Sequence, residues 1–128
     1  MTEGSDRQLI LIVEDNEKNL KLVRDVLQYK GYQTIEAGTG EDGVRLARER
    51  GPALILMDIQ LPGIDGITAL GQLRADPATR AIPVIAVTAS AMTQDRKKIM
   101  AAGFDGYQSK PIGVKDFVAA VRAMLDRQ

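Results

Sequence analysis

Asp58 closes the apolar run Leu54-Ile55-Leu56-Met57, and Glu14 and Asp15 follow the similar run Leu9-Ile10-Leu11-Ile12-Val13. A buried strand that ends in an acid delivers a carboxylate to the mouth of a loop, where it can react. If the two runs are neighbours in one sheet, three carboxylates meet at its edge. Each like-charge pair at about 4–6 Å then costs about 3–4 kcal/mol at an effective dielectric near 20. Such a cluster either takes up a proton or binds a cation. Oxygen-only ligands favour Mg2+ or Mn2+ over zinc. A cation beside a reactive carboxylate points to phosphoryl chemistry.

Two further residues fit that chemistry. Thr88 ends the run Val84-Ile85-Ala86-Val87 and is followed by the small Ala89. Its hydroxyl would donate to an oxygen of a phosphoryl group on Asp58, and Ala89 would leave that group accessible. Lys110 precedes Pro111 after a short fifth run. Its ammonium would neutralise a phosphoryl oxygen, and a cis Lys110–Pro111 bond would aim it there. Taken singly, each residue has an ordinary role: Glu14 and Asp15 as turn acids, Thr88 as a strand residue, Lys110 as a solvated loop cation. Their joint placement at strand ends points to a site.

The bulk composition narrows the alternatives. With 128 residues the chain is expected to form one domain with its own core. Lys plus Arg and Asp plus Glu balance at 17 each, so nucleic acid is not an expected partner. No apolar run approaches the roughly 20 residues of a membrane span, and the first residues lack a signal-peptide order. Cysteine is absent, which removes disulfides and thiolate metal sites and fits a cytoplasmic setting. Histidine is absent too, which removes triads, most zinc sites and a phosphohistidine within the chain.

The elements that must position these residues alternate regularly. Strand-like runs at 9–13, 33–37, 54–58, 84–88 and 106–109 are each followed by a helix-like stretch. The first, third and fourth are apolar throughout, as strands covered on both faces are. The first helix is expected from the N-cap Asn16 to about Tyr29, with Leu20, Val23 and Leu27 as its stripe and Gly31 as its stop. The second is expected at 40–50, ending at Gly51-Pro52. The third begins near Asp65-Gly66, with Ile67, Leu70 and Leu73 inward. The fourth, about 92–102, has the weakest apolar stripe. The last places Val114, Phe117, Val118, Val121 and Leu125 on one face. Strict alternation predicts an α/β doubly wound sheet, with ligands at the carboxyl ends of strands where the strand order reverses.

Glu14-Asp15, Met57-Asp58, Pro62-Gly63-Ile64-Asp65-Gly66, Thr88-Ala89 and Lys110-Pro111 together resemble the receiver domain of bacterial two-component response regulators. The likeness covers residues 8–126, leaving 1–7 as a lead-in, and no effector domain is expected. Val13-Glu14-Asp15-Asn16 and Leu56-Met57-Asp58-Ile59-Gln60-Leu61-Pro62 are most similar to stand-alone receivers of the DivK type, which control cell division and polarity. The resemblance implies a flavodoxin-like, CheY-like (βα)5 fold with a parallel sheet of order 2-1-3-4-5. It implies that Asp58 accepts a phosphoryl group from a histidine kinase or histidine phosphotransferase. Asp15, Asp58 and the backbone carbonyl of Gln60 would hold Mg2+, with Glu14 acting through a metal-bound water. Thr88 and Lys110 would bind phosphoryl oxygens, and Tyr107 would be an aromatic switch. The donor would dock on the first helix around Asn16, Lys18, Asn19 and Lys21. Downstream protein targets would read the fourth helix, fifth strand and last helix. The chain would catalyse only its own phosphorylation and dephosphorylation.

Three departures from the family pattern stand out. Gln108 replaces an aliphatic residue, so a frayed or wetter fifth strand is expected. Phe104 replaces a small residue and is expected to extend a partner surface. Glu14 replaces the commoner Asp. Two other readings compete: a constitutive binding module, and a Mg2+-dependent aspartyl-phosphate phosphatase. The second usually needs an acid two residues beyond the nucleophile, where Gln60 stands. A nucleotide-binding reading fails because no Gly-rich loop follows the first strand.

Overall fold

The computed structural model describes residues 8–89, 93–110 and 112–126. Five strands, β1 (Leu9–Val13), β2 (Gln33–Ala37), β3 (Leu54–Asp58), β4 (Val84–Thr88) and β5 (Gly106–Ser109), alternate with five helices. These are α1 (Glu17–Tyr29), α2 (Gly40–Arg50), α3 (Gly66–Ala75), α4 (Thr93–Ala101) and α5 (Val114–Asp126). The strands form one sheet in the order β2-β1-β3-β4-β5, and every pairing is parallel. The strand order reverses at β1, between β2 and β3. The carboxyl ends of β1 and β3 therefore lie side by side where the chain leaves for opposite faces.

Burial follows the period of two along a strand. Leu11, Val13, Ile55, Met57, Val84 and Ala86 face one layer with Val44 and Ala47 of α2, Leu70 and Leu73 of α3 and Ile99 of α4. Ile10, Ile12, Leu54, Leu56, Ile85 and Val87 face the other, against Val23 and Leu27 of α1 and Phe117, Val121 and Leu125 of α5. The central strands β3 and β4 are buried along their whole length. The edge strands are not: β5 has no fully buried residue, and Gln108 is half-buried there.

Three helices start on side-chain caps, of which Asn16 was expected from the sequence. Asn16 accepts from the backbone N–H groups of Lys18 and Asn19, Thr39 from Asp42 and Asp65 from Thr68. Each satisfies N–H groups that the first helical turn cannot. Gly51 ends α2 in the left-handed conformation, at φ 56°. At the far end of the sheet Arg74 ties three segments together. It donates to the carbonyls of Arg80, Ile82 and Gly103 and to Asp105, whose carboxylate also accepts from the Val84 N–H. Among the described residues no helix is long and apolar enough to cross a membrane.

Two expectations are corrected. Phe104 does not extend a surface; it is 4% exposed and belongs to the core beneath α2, α3 and α4. The turn at Gly103, with φ 112°, precedes it. Val114 is not a core residue; it is the first residue of α5 and is 46% exposed, while Met124 further along joins the core. The fourth helix, expected at about 92–102, runs over Thr93–Ala101, and Met92 lies outside the described residues. Phe104→Ala should therefore lose about 3–5 kcal/mol in a denaturant titration, and Val114→Ala no more than about 0.5 kcal/mol. Equal losses would contradict this placement of the core.

Candidate functional site

The site grows out of the β1–β3 pairing. Val13 lies opposite Met57, so the residues that follow, Glu14 and Asp58, emerge together. Asp15 comes next on the β1 side. Each of the three acids offers an oxygen, and these oxygens lie within 4.8 Å of one another. Glu14 and Asp58 are only 5% and 4% exposed, whereas Asp15 is open to solvent.

Backbone turns hold the carboxylates in place. Glu14 Oε2 accepts from the N–H of Asn16 at 3.2 Å, where the chain bends into α1. Asp58 Oδ1 accepts from the N–H of Gln60 at 3.1 Å, which curls the following loop around the acid. Gly66 lets α3 start against this loop, because a Cβ there would sit 2.5 Å from the Asp58 carbonyl oxygen. Its N–H donates to the Ile59 carbonyl at 2.9 Å.

Lys110 supplies the one cation placed on this cluster among the described residues. Its backbone N–H donates to the Thr88 carbonyl at 2.7 Å, which carries the β4–β5 pairing one residue beyond Ser109 and holds Lys110 at the end of β4. Its ammonium then lies 2.9 Å from Glu14 Oε1 and 3.1 Å from Asp58 Oδ2. Burial alone would lower the Lys110 pKa; the paired carboxylates of Glu14 and Asp58 overcome it and hold the group above its ordinary value. Glu14 has a raised pKa too, which for an acid disfavours the charged form. Its burial, then the adjacent Asp58 carboxyl, raise its pKa, against the pull of Lys110 and the Asn16 N–H. One ammonium does not balance three acids.

An all-oxygen set with one exposed member suits a hard divalent cation that keeps several waters. The donor types and their spacing therefore fit Mg2+ or Mn2+.

The remaining sequence-derived residues fall around this centre. Thr88 is buried at the end of β4, one residue past the Asp58–Val87 pairing, and Ala89 beside it is exposed. Gln60 is exposed at the rim. Tyr107 is half-buried on β5, opposite Ala86, and packs on the core under α2, α3 and α4. The Arg96 guanidinium of α4 lies 5.3 Å from the centre of its ring. That contact was not read from the sequence, because nothing in the spacing of residues 96 and 107 shows that α4 packs over β5. Asn16 is engaged as a helix cap and Lys21 is paired with Asp25, while Lys18 and Asn19 lie on the same end of α1. Pro111 lies outside the described residues, and with it the expected cis Lys110–Pro111 bond.

Comparison with known proteins agrees with this geometry. The family model described as the response regulator receiver domain matches residues 10–122. The curated polar-differentiation response regulators DivK of Brucella ovis and Brucella anthropi are each 47% identical over 116 residues, covering 91% of this chain and 94% of theirs. The receiver domain of the sensor histidine kinase PA1611 from Pseudomonas aeruginosa superposes with a TM-score of 0.88 at 33% identity, over 94% of this chain and 98% of that one. That structure has a magnesium ion coordinated in its active site cleft. A response regulator from Chloroflexus aurantiacus, described as putative, superposes with a TM-score of 0.90 at 28% identity, over 94% and 98%. With a family model spanning most of its length and relatives this similar, the chain belongs to the response regulator receiver domain family.

Proposed function

We propose that this receiver accepts a phosphoryl group on Asp58 from a phosphohistidine donor and passes the signal on by a change of conformation. The observation that carries this reading is the pairing of Asp58 with the Lys110 ammonium, inside a cluster of three carboxylates whose oxygens lie within 4.8 Å. In the transfer an Asp58 carboxylate oxygen attacks phosphorus in line. The P–N bond to the donor imidazole breaks, and its electron pair leaves with the imidazole nitrogen. The product is an acyl phosphate that water can hydrolyse.

Asp15, Asp58 and the Gln60 carbonyl would hold Mg2+, with Glu14 reaching it through a bound water. The ion's contribution, when bound, is to offset the repulsion between Asp58 and the oxygens of the incoming group. Lys110 would shift its ammonium from Asp58 to a phosphoryl oxygen, and the Thr88 hydroxyl would donate to another. Gln60 and Ala89 border the approach and would set how readily water reaches phosphorus. Thr88, Tyr107 and α4 would form the two-state element, since Tyr107 lies on the strand next to Thr88 and carries Arg96 of α4 on its ring.

The donor would be a histidine kinase or a histidine phosphotransferase docking at the start of α1. Downstream proteins would read α4, β5 and α5. The likeness to regulators named for polar differentiation supports a role in cell polarity or division, and this would place the chain in the cytoplasm. A hydrolase of aspartyl-phosphate type is disfavoured by Gln60, which has no acidic proton to give the leaving group.

Incubation with a small acyl-phosphate donor and Mg2+ should add one phosphoryl group by intact mass. Asp58→Asn should abolish the gain. Thr88→Ala should keep it but lose the accompanying change in amide-exchange protection over α4 and β5. No gain by the wild-type protein, either from that donor or from phosphohistidine donors, would favour a constitutive binding module.

The charge imbalance makes a second prediction. Glu14 has a folded-state pKa above its ordinary value of 4.5, so its stabilising contribution is present below that value and is lost as pH rises through the folded pKa. In metal-free buffer at pH 7–8, Glu14→Gln should melt higher than wild type, and the gap should close as pH falls toward about 4.5. Saturating Mg2+ should raise the wild-type melting temperature more than that of Asp15→Asn. A pH-independent gap, or equal Mg2+ responses, would contradict the assignment.

A further inference from the structure

The acids of the site stand on two separate arms. One is the end of β1, with Glu14 and Asp15; the other is the end of β3, with Asp58 and the loop of residues 59–65. The first turns of α2 touch both arms, each time through a glycine. A Cβ on Gly43 would lie 2.8 Å from Cγ2 of Val13, the residue just before Glu14. A Cβ on Gly40 would lie 2.7 Å from Cγ1 of Ile64 and 2.9 Å from the Ile64 carbonyl oxygen. Real Cβ atoms do not come so near, so at both places the absence of a side chain lets the helix close in, on the Val13 side chain at Gly43 and on the side chain and carbonyl of Ile64 at Gly40. The Thr39 cap, with Oγ1 3.1 Å from the Asp42 N–H, fixes the turn that makes these contacts.

The loop has little freedom to evade this contact. Its far end is tied by the Gly66 N–H to the Ile59 carbonyl at 2.9 Å. Within it, the Gln60 N–H bonds to Asp58 Oδ1 at 3.1 Å. A push on the Ile64 backbone is therefore a push on a hydrogen bond that orients the Asp58 carboxylate.

We propose that α2 sets the spacing of the two arms and that Gly40, by seating Ile64, is a positioning residue for the Mg2+ site. This rests on the reading above that the acid cluster holds Mg2+. The three atoms nearest a Cβ at Gly40 all belong to Ile64, so Gly40 acts through Ile64, Gln60 and the orientation of Asp58. Groups that orient a metal ligand from behind commonly change affinity by about 10–100-fold when altered.

The test is a calorimetric Mg2+ titration of the full chain, with the metal-free melting temperature measured in parallel. Gly40→Ala should weaken Mg2+ binding by about tenfold, because its methyl group displaces the Ile64 carbonyl. Ile64→Ala, which adds no atom, should also weaken it by unseating the loop. Gly71→Ala should bind as wild type, since nothing lies within 4 Å of that position. Should Gly40→Ala fail to fold, Ile64→Ala decides alone. Wild-type affinity in Gly40→Ala and Ile64→Ala, even with lowered melting temperatures, would overturn the proposal and leave α2 a purely structural role. A wild-type protein that binds no Mg2+ would overturn the metal reading itself, and the positioning role with it.

Discussion

Two nearly buried carboxylates, Glu14 and Asp58, are held beside each other and beside Asp15, and the rest of the site answers that repulsion. The pairing of β1 with β3 brings them together, and the apolar runs behind them prevent escape. At the cluster's spacing each like-charge pair is worth about 3.5 kcal/mol or more at an effective dielectric near 20. Core burial on both sides of the sheet offsets this. Leu54, Ile55, Leu56 and Met57 are all at most 2% exposed, and each buried large side chain contributes about 1.5–3 kcal/mol. A well-packed strand can thus end in a destabilising group. The same feature that weakens the fold locally creates the demand for a cation and for a residue such as Lys110.

Lys110 answers part of the demand from a distance of 52 residues along the chain. It can do so because β5 lies beside β4, and because its N–H is anchored on the Thr88 carbonyl. Thr88 is thereby tied to Lys110 through the backbone and stands beside Asp58 through the sheet. Tyr107 sits on β5, three residues before Lys110 and on the strand next to Thr88, with α4 reaching it through Arg96. In the proposed function, a change of charge on Asp58 would redistribute the Lys110 contacts first and move Thr88, Tyr107 and α4 as a consequence. α4 is suited to that part: of its residues from Arg96 to Ala101, only Ile99 is buried.

Much of this was legible in the sequence, for reasons specific to each residue. The runs ending at Val13, Asp58 and Thr88 are continuous apolar stretches closed by polar groups, so strand type, strand end and outward-facing chemistry could be read together. Asn16, Thr39 and Asp65 stand just ahead of helices as their caps, a purely local signal, although only Asn16 was named as one. Phe104 was misplaced because its burial depends on where Gly103 turns the chain relative to α2 and α3, which no local pattern encodes. Val114 fits the apolar period of α5 but stands at its exposed first position, and Met124 fills core space that the stripe had not claimed. The close approaches of Gly40, Gly43 and Gly66 were invisible for a related reason. A glycine in sequence reports freedom, and only the folded chain shows which backbone or side chain uses the space.

The most direct test of the charge-cluster account is paramagnetic broadening of amide resonances by Mn2+ at substoichiometric concentration. Mn2+ shares the oxygen preference of Mg2+. The account predicts that the amides of Asp15, Asp58, Ile59, Gln60 and Lys110 broaden first, and that excess Mg2+ restores them. Broadening centred elsewhere, for instance on the exposed acids Glu41 and Asp42 at the start of α2, with Asp58 and Gln60 unaffected, would contradict it.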